Sequence, residues 1–298
     1  MCSQDTSKTY LRIPPWLRVK IPCNKTYGAT QEMVKDLNLH TVCQSAKCPN
    51  MFECFSEHTA TFLIMGDTCT RNCAFCNIES GTLSPLDPTE PNRVAEASKR
   101  LQLKHVVITS VTRDDLDDGG AAHFAATIRA IRKQLPDSTI EVLIPDFQGN
   151  EEALNEVIAA KPDIINHNVE TPPVHYVNIR PQASYQQSLE LLTRVKKAGV
   201  ISKSGLMVGL GETDDEVRGV IDDLAAINCD IVTIGQYMRP SRKHPAVHRY
   251  VPPEHFEQYA QYGKNKGVLH MYSAPLVRSS YNAALFAGAN KSDKSSVK

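Results

Sequence analysis

Apolar residues in this chain follow two kinds of pattern. Short unbroken runs alternate with longer stretches in which an apolar residue returns every third or fourth position. The first pattern predicts buried strands and the second amphipathic helices. From residue 60 onward, runs at 60–65, 105–110, 139–145, 163–170, 201–210 and 231–236 predict six strands. Between them, 89–103 carries Val94, Ala97 and Leu101 at helical spacing, and 119–135 carries Phe124, Ile128, Ile131 and Leu135. Helices are also predicted over 151–160, over 184–198 with Gly199 closing it, and over 213–227. The last has Val217, Val220, Ile221 and Leu224 on one face and Thr213 as N-cap. Strands that alternate with helices build a parallel sheet covered by helices. Six units fall short of a closed eight-unit barrel, so the expected fold is α/β, an open, partial (β/α)6 barrel of the TIM type. A doubly wound sheet is the second choice, but no Gly-x-Gly-x-x-Gly follows the first strand.

The pattern outside the barrel is weaker. Residues 29–40 place Met33, Val34, Leu37 and His40 on one helical face. A polar helix over 254–266 and a last strand and turn over 268–280 follow the barrel. The expected division is an N-terminal extension (1–58), the barrel (59–250), a C-terminal extension (251–290) and a Lys/Ser-rich disordered tail (291–298).

Charge and composition then narrow the function. The 33 basic and 33 acidic residues balance, so the whole chain exerts no general pull on nucleic acid or membranes. No run has the length of a membrane span and the start has no apolar signal core, so a cytoplasmic protein is expected. Residues 8–25 are basic and contain no acid, with Trp16 beside Pro14 and Pro15. They read either as an extended arm that meets an acidic partner or as a solvated tail, with Cys23 a plain thiol. Residues 237–249 form a second basic stretch. Pro245 between His244 and His248 argues against a helical metal pair, which leaves a positive rim.

Six of the nine cysteines fall in two tight triplets, which favours reduced, metal-bound thiols over disulfides. Cys69, Cys73 and Cys76 follow the first strand directly, with Phe75 as an aromatic wall. Three thiolates on one loop leave a zinc site unclosed, whereas an iron–sulfur cluster held by three cysteines keeps one iron open. Cys43, Cys48 and Cys54 repeat the theme. Six ligands exceed what one cubane takes, so two clusters are expected, with zinc or a mixed site as the alternative. The strand ends offer Thr109, Ser110, Asn168, Glu170, Lys203, Ser204 and the run 209–212, whose hydroxyl, amide and carboxylate groups either suit a ribose and an amino acid or only hydrogen-bond the strand ends. The aspartates at 114, 115, 117 and 118 do not match a calcium loop, and some are expected to cap the following helix.

The loop from Cys69 to Cys76 resembles the signature of the radical S-adenosylmethionine superfamily. Both triplets together with Arg278-Ser279-Ser280-Tyr281-Asn282-Ala283 resemble the lipoyl synthase family, from the Pro14-Pro15-Trp16-Leu17-Arg18 arm to Ala283. The resemblance implies that Cys69, Cys73 and Cys76 hold a 4Fe–4S cluster that binds S-adenosylmethionine, two molecules being used per product. It implies that Cys43, Cys48, Cys54 and Ser280, rather than Ser279, hold an auxiliary 4Fe–4S cluster that gives up its sulfur. Phe75, Thr109, Ser110, Asn168, Glu170, Lys203, Ser204 and Arg278 become expected cofactor contacts. The implied substrate is an octanoyl chain on a lysine of a lipoyl carrier domain or glycine-cleavage H protein, which receives sulfur at carbons six and eight. The implied partners are an electron donor such as ferredoxin or flavodoxin and an iron–sulfur carrier that rebuilds the cluster. The enzyme is expected to work as a monomer, without nucleic acid or membrane. Another radical enzyme with an auxiliary cluster and a zinc-stabilised binding module are the alternatives.

Overall fold

The computed structural model describes residues 11–18, 25–46, 48, 50–56 and 60–280. Expectations for Lys8, Lys20, Cys23, Tyr281, Asn282, Ala283 and the 291–298 tail lie outside these residues. In chain order the strands are β1 (His40–Thr41), β2 (Thr61–Ile64), β3 (Thr68–Cys69), β4 (Glu79–Ser80), β5 (His105–Ser110), β6 (Thr139–Leu143), β7 (Ile164–Asn166), β8 (Ile201–Val208), β9 (Ile231–Gln236) and β10 (His270–Ser273). Helices α1 (Lys25–Asp36), α2 (Val42–Ser45) and α3 (Met51–Ser56) precede the barrel. Within and after it come α4 (Glu90–Arg100), α5 (Ala121–Gln134), α6 (Glu151–Ala159), α7 (Tyr176–Ile179), α8 (Tyr185–Lys197), α9 (Asp214–Ala226) and α10 (Pro253–Asn265).

The main sheet has the order β1-β2-β5-β6-β7-β8-β9-β10. Its six central strands are the six predicted ones, and they pair parallel in sequence order. The last strand predicted within 268–280 forms as β10, but the place of β1 and β10 at the edges of this sheet was not foreseen. β1 adds antiparallel to β2, and β10 adds parallel to β9. His40 is therefore a strand residue, because α1 starts and ends four residues earlier than its apolar spacing suggested. The run at 163–170 is a strand only over Ile164–Asn166, with Glu170 making an isolated bridge to Leu206.

Alternate residues of each strand face the helices or the lumen. Ile108, Val142 and Ile165 pack outward with Val94, Phe124 and Val157 of α4, α5 and α6. Val208, Val232 and Ile234 pack outward with Val220 of α9 and Phe256 of α10. The helix ends are fixed as expected. Thr213 and Glu216 form a reciprocal capping box at α9, and Gly199 takes φ +74° just after α8. No described helix is long and apolar enough to cross a membrane.

Candidate metal centres and cofactor site

β2 ends at the mouth of the barrel, and Met65 and Gly66 turn the chain with φ +68° and +93°. β3 then pairs with β4, which brackets the loop from Cys69 to Cys76. Arg71 pins this loop to the barrel. Its guanidinium meets Asp114 after β5 (Nε–Oδ2 2.7 Å, Nη2–Oδ1 2.9 Å) and Asp146 after β6 (Nη1–Oδ2 2.9 Å, Nη2–Oδ1 2.7 Å). Arg71 and Asp146 are buried. Burial opposes both charges, but the paired hydrogen bonds win. They raise the Arg71 pKa and bring Asp146 down to about 2. Sequence reasoning missed this bolt. Of the aspartates, Asp118 accepts from the amides of Gly120 and Ala122 at the start of α5, as expected.

The sulfur atoms face backbone donors. Cys69 Sγ accepts from the amides of Thr112 (3.2 Å) and Arg71 (3.4 Å), and Cys76 Sγ from Ile78 (3.5 Å). Burial raises the Cys73 thiol and pushes Cys76 up to about 12. Bare thiolates are therefore disfavoured here, and an electrophilic metal must displace the protons. Among the described residues no three His, Cys, Asp or Glu side chains converge closely enough to hold one metal ion. The triplets are to be judged instead against a cubane, whose thiolates attach to different iron atoms.

Asn168 and Glu170, at the end of β7, stand beside this loop. Asn168 Nδ2 donates to Glu170 Oε1 at 3.0 Å, while the buried Asn168 Oδ1 has no hydrogen-bond partner. Arg180 adds a buried cation that acts on both Cys73 and Glu170. Burial raises the Glu170 pKa, with Arg180 and Asn168 opposing. Arg180 is in turn held by the carbonyl of Asn168 and the hydroxyl of Tyr176. Phe75 packs in one hydrophobic cluster with Leu210, Tyr237 and Val247.

Lys203 and Ser204 do not share a role. Lys203 is fully buried, with Nζ 2.8 Å from Glu141 Oε1, and His105 Nε2 lies 3.2 Å from the other oxygen. Ser204 is the next residue on the strand and accepts from Val169 N. Thr109 donates to Leu143 O, and Ser110 Oγ is buried without a partner. Glu212 folds back on its own loop, accepting from the amides of Gly209 (2.6 Å) and Leu210 (2.8 Å). The basic rim is also smaller than its sequence suggests. Arg249 pairs with Asp214 and Arg239 donates to the carbonyls of His244 and Arg242, and Arg242 and Lys243 are exposed.

The second triplet lies where the two ends of the chain meet. Cys43, Cys48 and Cys54 line one small cavity with Arg278 and Ser280. Asn50 Nδ2 donates to Leu276 O at 2.8 Å, clamping the terminal segment over the cysteines. Burial pushes the Cys43 thiol up to about 11. Asn77 Nδ2 donates to Ser45 O at 2.7 Å, so the loops of the two triplets touch. Gly235, on β9, makes room for the terminal segment. A Cβ there would lie 2.0 Å from Val277 O and 3.1 Å from Arg278 Nη1. Gly235→Ala is expected to push the 275–280 segment off β9 and to behave like Ser280→Ala. Iron bound at the second triplet should fall while iron at the first is kept. Equal iron content in Gly235→Ala and wild type would contradict this.

A sequential parallel barrel whose first parallel strand delivers three cysteines to the mouth defines a radical S-adenosylmethionine enzyme, and the model of the radical SAM superfamily matches residues 63–224. A model described as the N-terminal domain of lipoyl synthase of that family matches residues 3–48. The chain is 70% identical over 286 residues to a lipoyl synthase of Oleidesulfovibrio alaskensis, covering 96% of this chain and 98% of that protein. It is 57% identical over 275 residues to a lipoyl synthase of Caldanaerobacter subterraneus, covering 92% and 96%. The chain belongs to the lipoyl synthase family, and is thus a radical S-adenosylmethionine enzyme that inserts sulfur. Solved structures share the fold at low identity. HydG, a hydrogenase maturase, has TM-score 0.58 at 14% identity, covering 83% of this chain and 63% of that one. SuiB of Streptococcus suis has TM-score 0.57 at 9%, covering 83% and 60%.

Proposed function

We propose that the chain converts a protein-bound octanoyl-lysine into lipoyl-lysine, placing sulfur at carbons six and eight. Cys69, Cys73 and Cys76 would hold the 4Fe–4S cluster that chelates S-adenosylmethionine. Cys43, Cys48, Cys54 and Ser280 would hold a second cluster, which gives up its sulfides and is therefore a substrate. The bound cluster and S-adenosylmethionine supply a radical able to take hydrogen from an unactivated C–H bond, which no side-chain base is strong enough to do. The chain's own residues position and shield that chemistry. Arg71, Asp114 and Asp146 fix the first loop against β5 and β6. Asn168, with its unpartnered buried oxygen, and Glu170 suit the amino group of S-adenosylmethionine, and the Arg180 cation suits negative charge at the cluster. Phe75 walls one side. Lys203 instead neutralises Glu141 inside the barrel. The substrate is a folded carrier that docks at the barrel mouth. Arg242 and Lys243 there, with the basic arm, favour an acidic partner and raise its on-rate. Thiols kept free for metal suit a reducing, cytosol-like compartment.

One observation carries this reading. Ser280 lines the same cavity as three cysteines from the other end of the chain. Iron and acid-labile sulfide, counted on anaerobically reconstituted protein, test it. About eight irons per chain should fall to about four when Cys43, Cys48 and Cys54 are all changed to Ala. Zinc at Cys43, Cys48 and Cys54, or the same iron count in both proteins, would remove the sulfur donor from the scheme.

A further inference from the structure

His244 lies 168 positions beyond Cys76 in sequence, yet its Nε2 is 2.9 Å from the Cys76 carbonyl oxygen. A carbonyl only accepts, so Nε2 carries the hydrogen. Nδ1 is then the acceptor, and Ser241 Oγ donates to it at 2.9 Å. The ring is thus fixed in one tautomer between a hydroxyl and the backbone of the third cysteine. The loop behind it is braced as well. Arg239 Nε donates to His244 O at 2.8 Å, Tyr237 donates to Pro245 O at 3.0 Å, and His248 N donates to Gly209 O at 2.9 Å. Val247 of the same loop packs near Phe75, the residue before Cys76. Between Ser241 and His244 the turn exposes Arg242 and Lys243.

We propose that His244 is a positioning residue for the Cys69–Cys76 loop, through which the 237–249 loop at the barrel mouth holds the third cysteine in register for S-adenosylmethionine. The inference rests on the assignment of Cys69, Cys73 and Cys76 to that cluster. It adds a device that the cysteine pattern does not contain. The imidazole donates to a carbonyl, not to sulfur, so it acts on the path of the loop. A carrier that presses on the Arg242–Lys243 turn would move the imidazole, and with it the backbone of Cys76.

The test compares wild type, His244→Ala and His244→Gln as reconstituted full-length proteins. The readout is the change that S-adenosylmethionine produces in the electron paramagnetic resonance spectrum of the reduced cluster. His244→Ala should bind the same iron but need about threefold to tenfold more S-adenosylmethionine for half the change, the fold expected for one lost hydrogen bond. His244→Gln keeps an N–H donor of similar reach and should stay near wild type. An unchanged titration in His244→Ala, or a His244→Gln as defective as His244→Ala, overturns the proposal. If His244→Ala binds no iron, Ser241→Ala decides, because it removes the hydroxyl that orients the ring. A partial weakening is expected, and wild-type behaviour overturns the idea. A Cys69→Ala protein that retains the full S-adenosylmethionine response would instead sink the cluster assignment itself.

Discussion

Changing Arg71 to Met should cost the fold about 3–5 kcal/mol, the usual loss when one partner of a buried ion pair is removed. Domains are held by only about 5–15 kcal/mol, so the effect is large. The physical reason lies in what remains. Asp146, with a side chain 0% exposed, loses both guanidinium bonds, and Asp114 loses two more. The Cys69–Cys76 loop loses its tie to β5 and β6, so iron at the first triplet should be retained poorly. Acid provides an independent check. In wild type the Asp146 pKa is depressed from 3.8 to about 2, so its contribution is complete above about pH 4 and is lost as pH falls through about 2. In the variant burial favours the protonated form of Asp146, opposed by the Gln148 amide and His167 but no longer by the guanidinium. The stability gap between the two proteins should therefore narrow on acidification. Urea unfolding from about pH 7 down to about pH 2 measures it, and an Arg71→Met protein as stable as wild type at pH 7 would rule out the bolt.

Ser280→Cys should separate the two halves of the reaction. Formation of 5′-deoxyadenosine should stay within about twofold of wild type, because Ser280 is not part of the first cysteine loop. Lipoyl product should fall by more than about tenfold. Serine offers iron a hard oxygen, whereas cysteine offers the soft thiolate that iron–sulfur clusters prefer. If Ser280 is the fourth ligand proposed above, it would let go where a fourth cysteine would hold. A second readout follows without any product assay. After turnover the Ser280→Cys protein should retain more iron than wild type. Ser279→Cys serves as the control, because Ser280 is the serine that lines the cavity. Undiminished lipoyl product in Ser280→Cys defeats the argument.

The strand–helix alternation and both cysteine triplets were legible in the sequence because each is a local pattern. The six central strands needed only runs such as 105–110 and 231–236, and the N-cap at Thr213 only its neighbours. The edges β1 and β10 were not legible as part of the sheet. A two-residue strand carries no period, and β10 is placed by β9 rather than by its own sequence. The partners of Arg71 lie 43 and 75 positions away, and no spacing rule reaches that far. Lys203 and Ser204 are a different case. Successive strand residues point to opposite faces, so period two alone says that both cannot line one lumen. The buried Glu141 opposite Lys203 was the missing half of that inference, since an acid inside a predicted strand asks for a cation. Ser280 was reached through resemblance, and its place beside Cys43, Cys48 and Cys54 follows from how β10 seats the terminal segment.

The clamp between Asn50 and Leu276 joins residues 226 positions apart. A ribosome makes Cys43, Cys48 and Cys54 long before Ser280. Until then the N-terminal thiols are open on the side that Arg278 and Ser280 will cover. Synthesis thus sets an order of maturation. The loop after β2 is tied to Asp114, Asp146 and His244, while the neighbouring chamber waits for residues 276–280. A cluster offered to the N-terminal thiols before that segment is made would meet a chamber with its lid still to close.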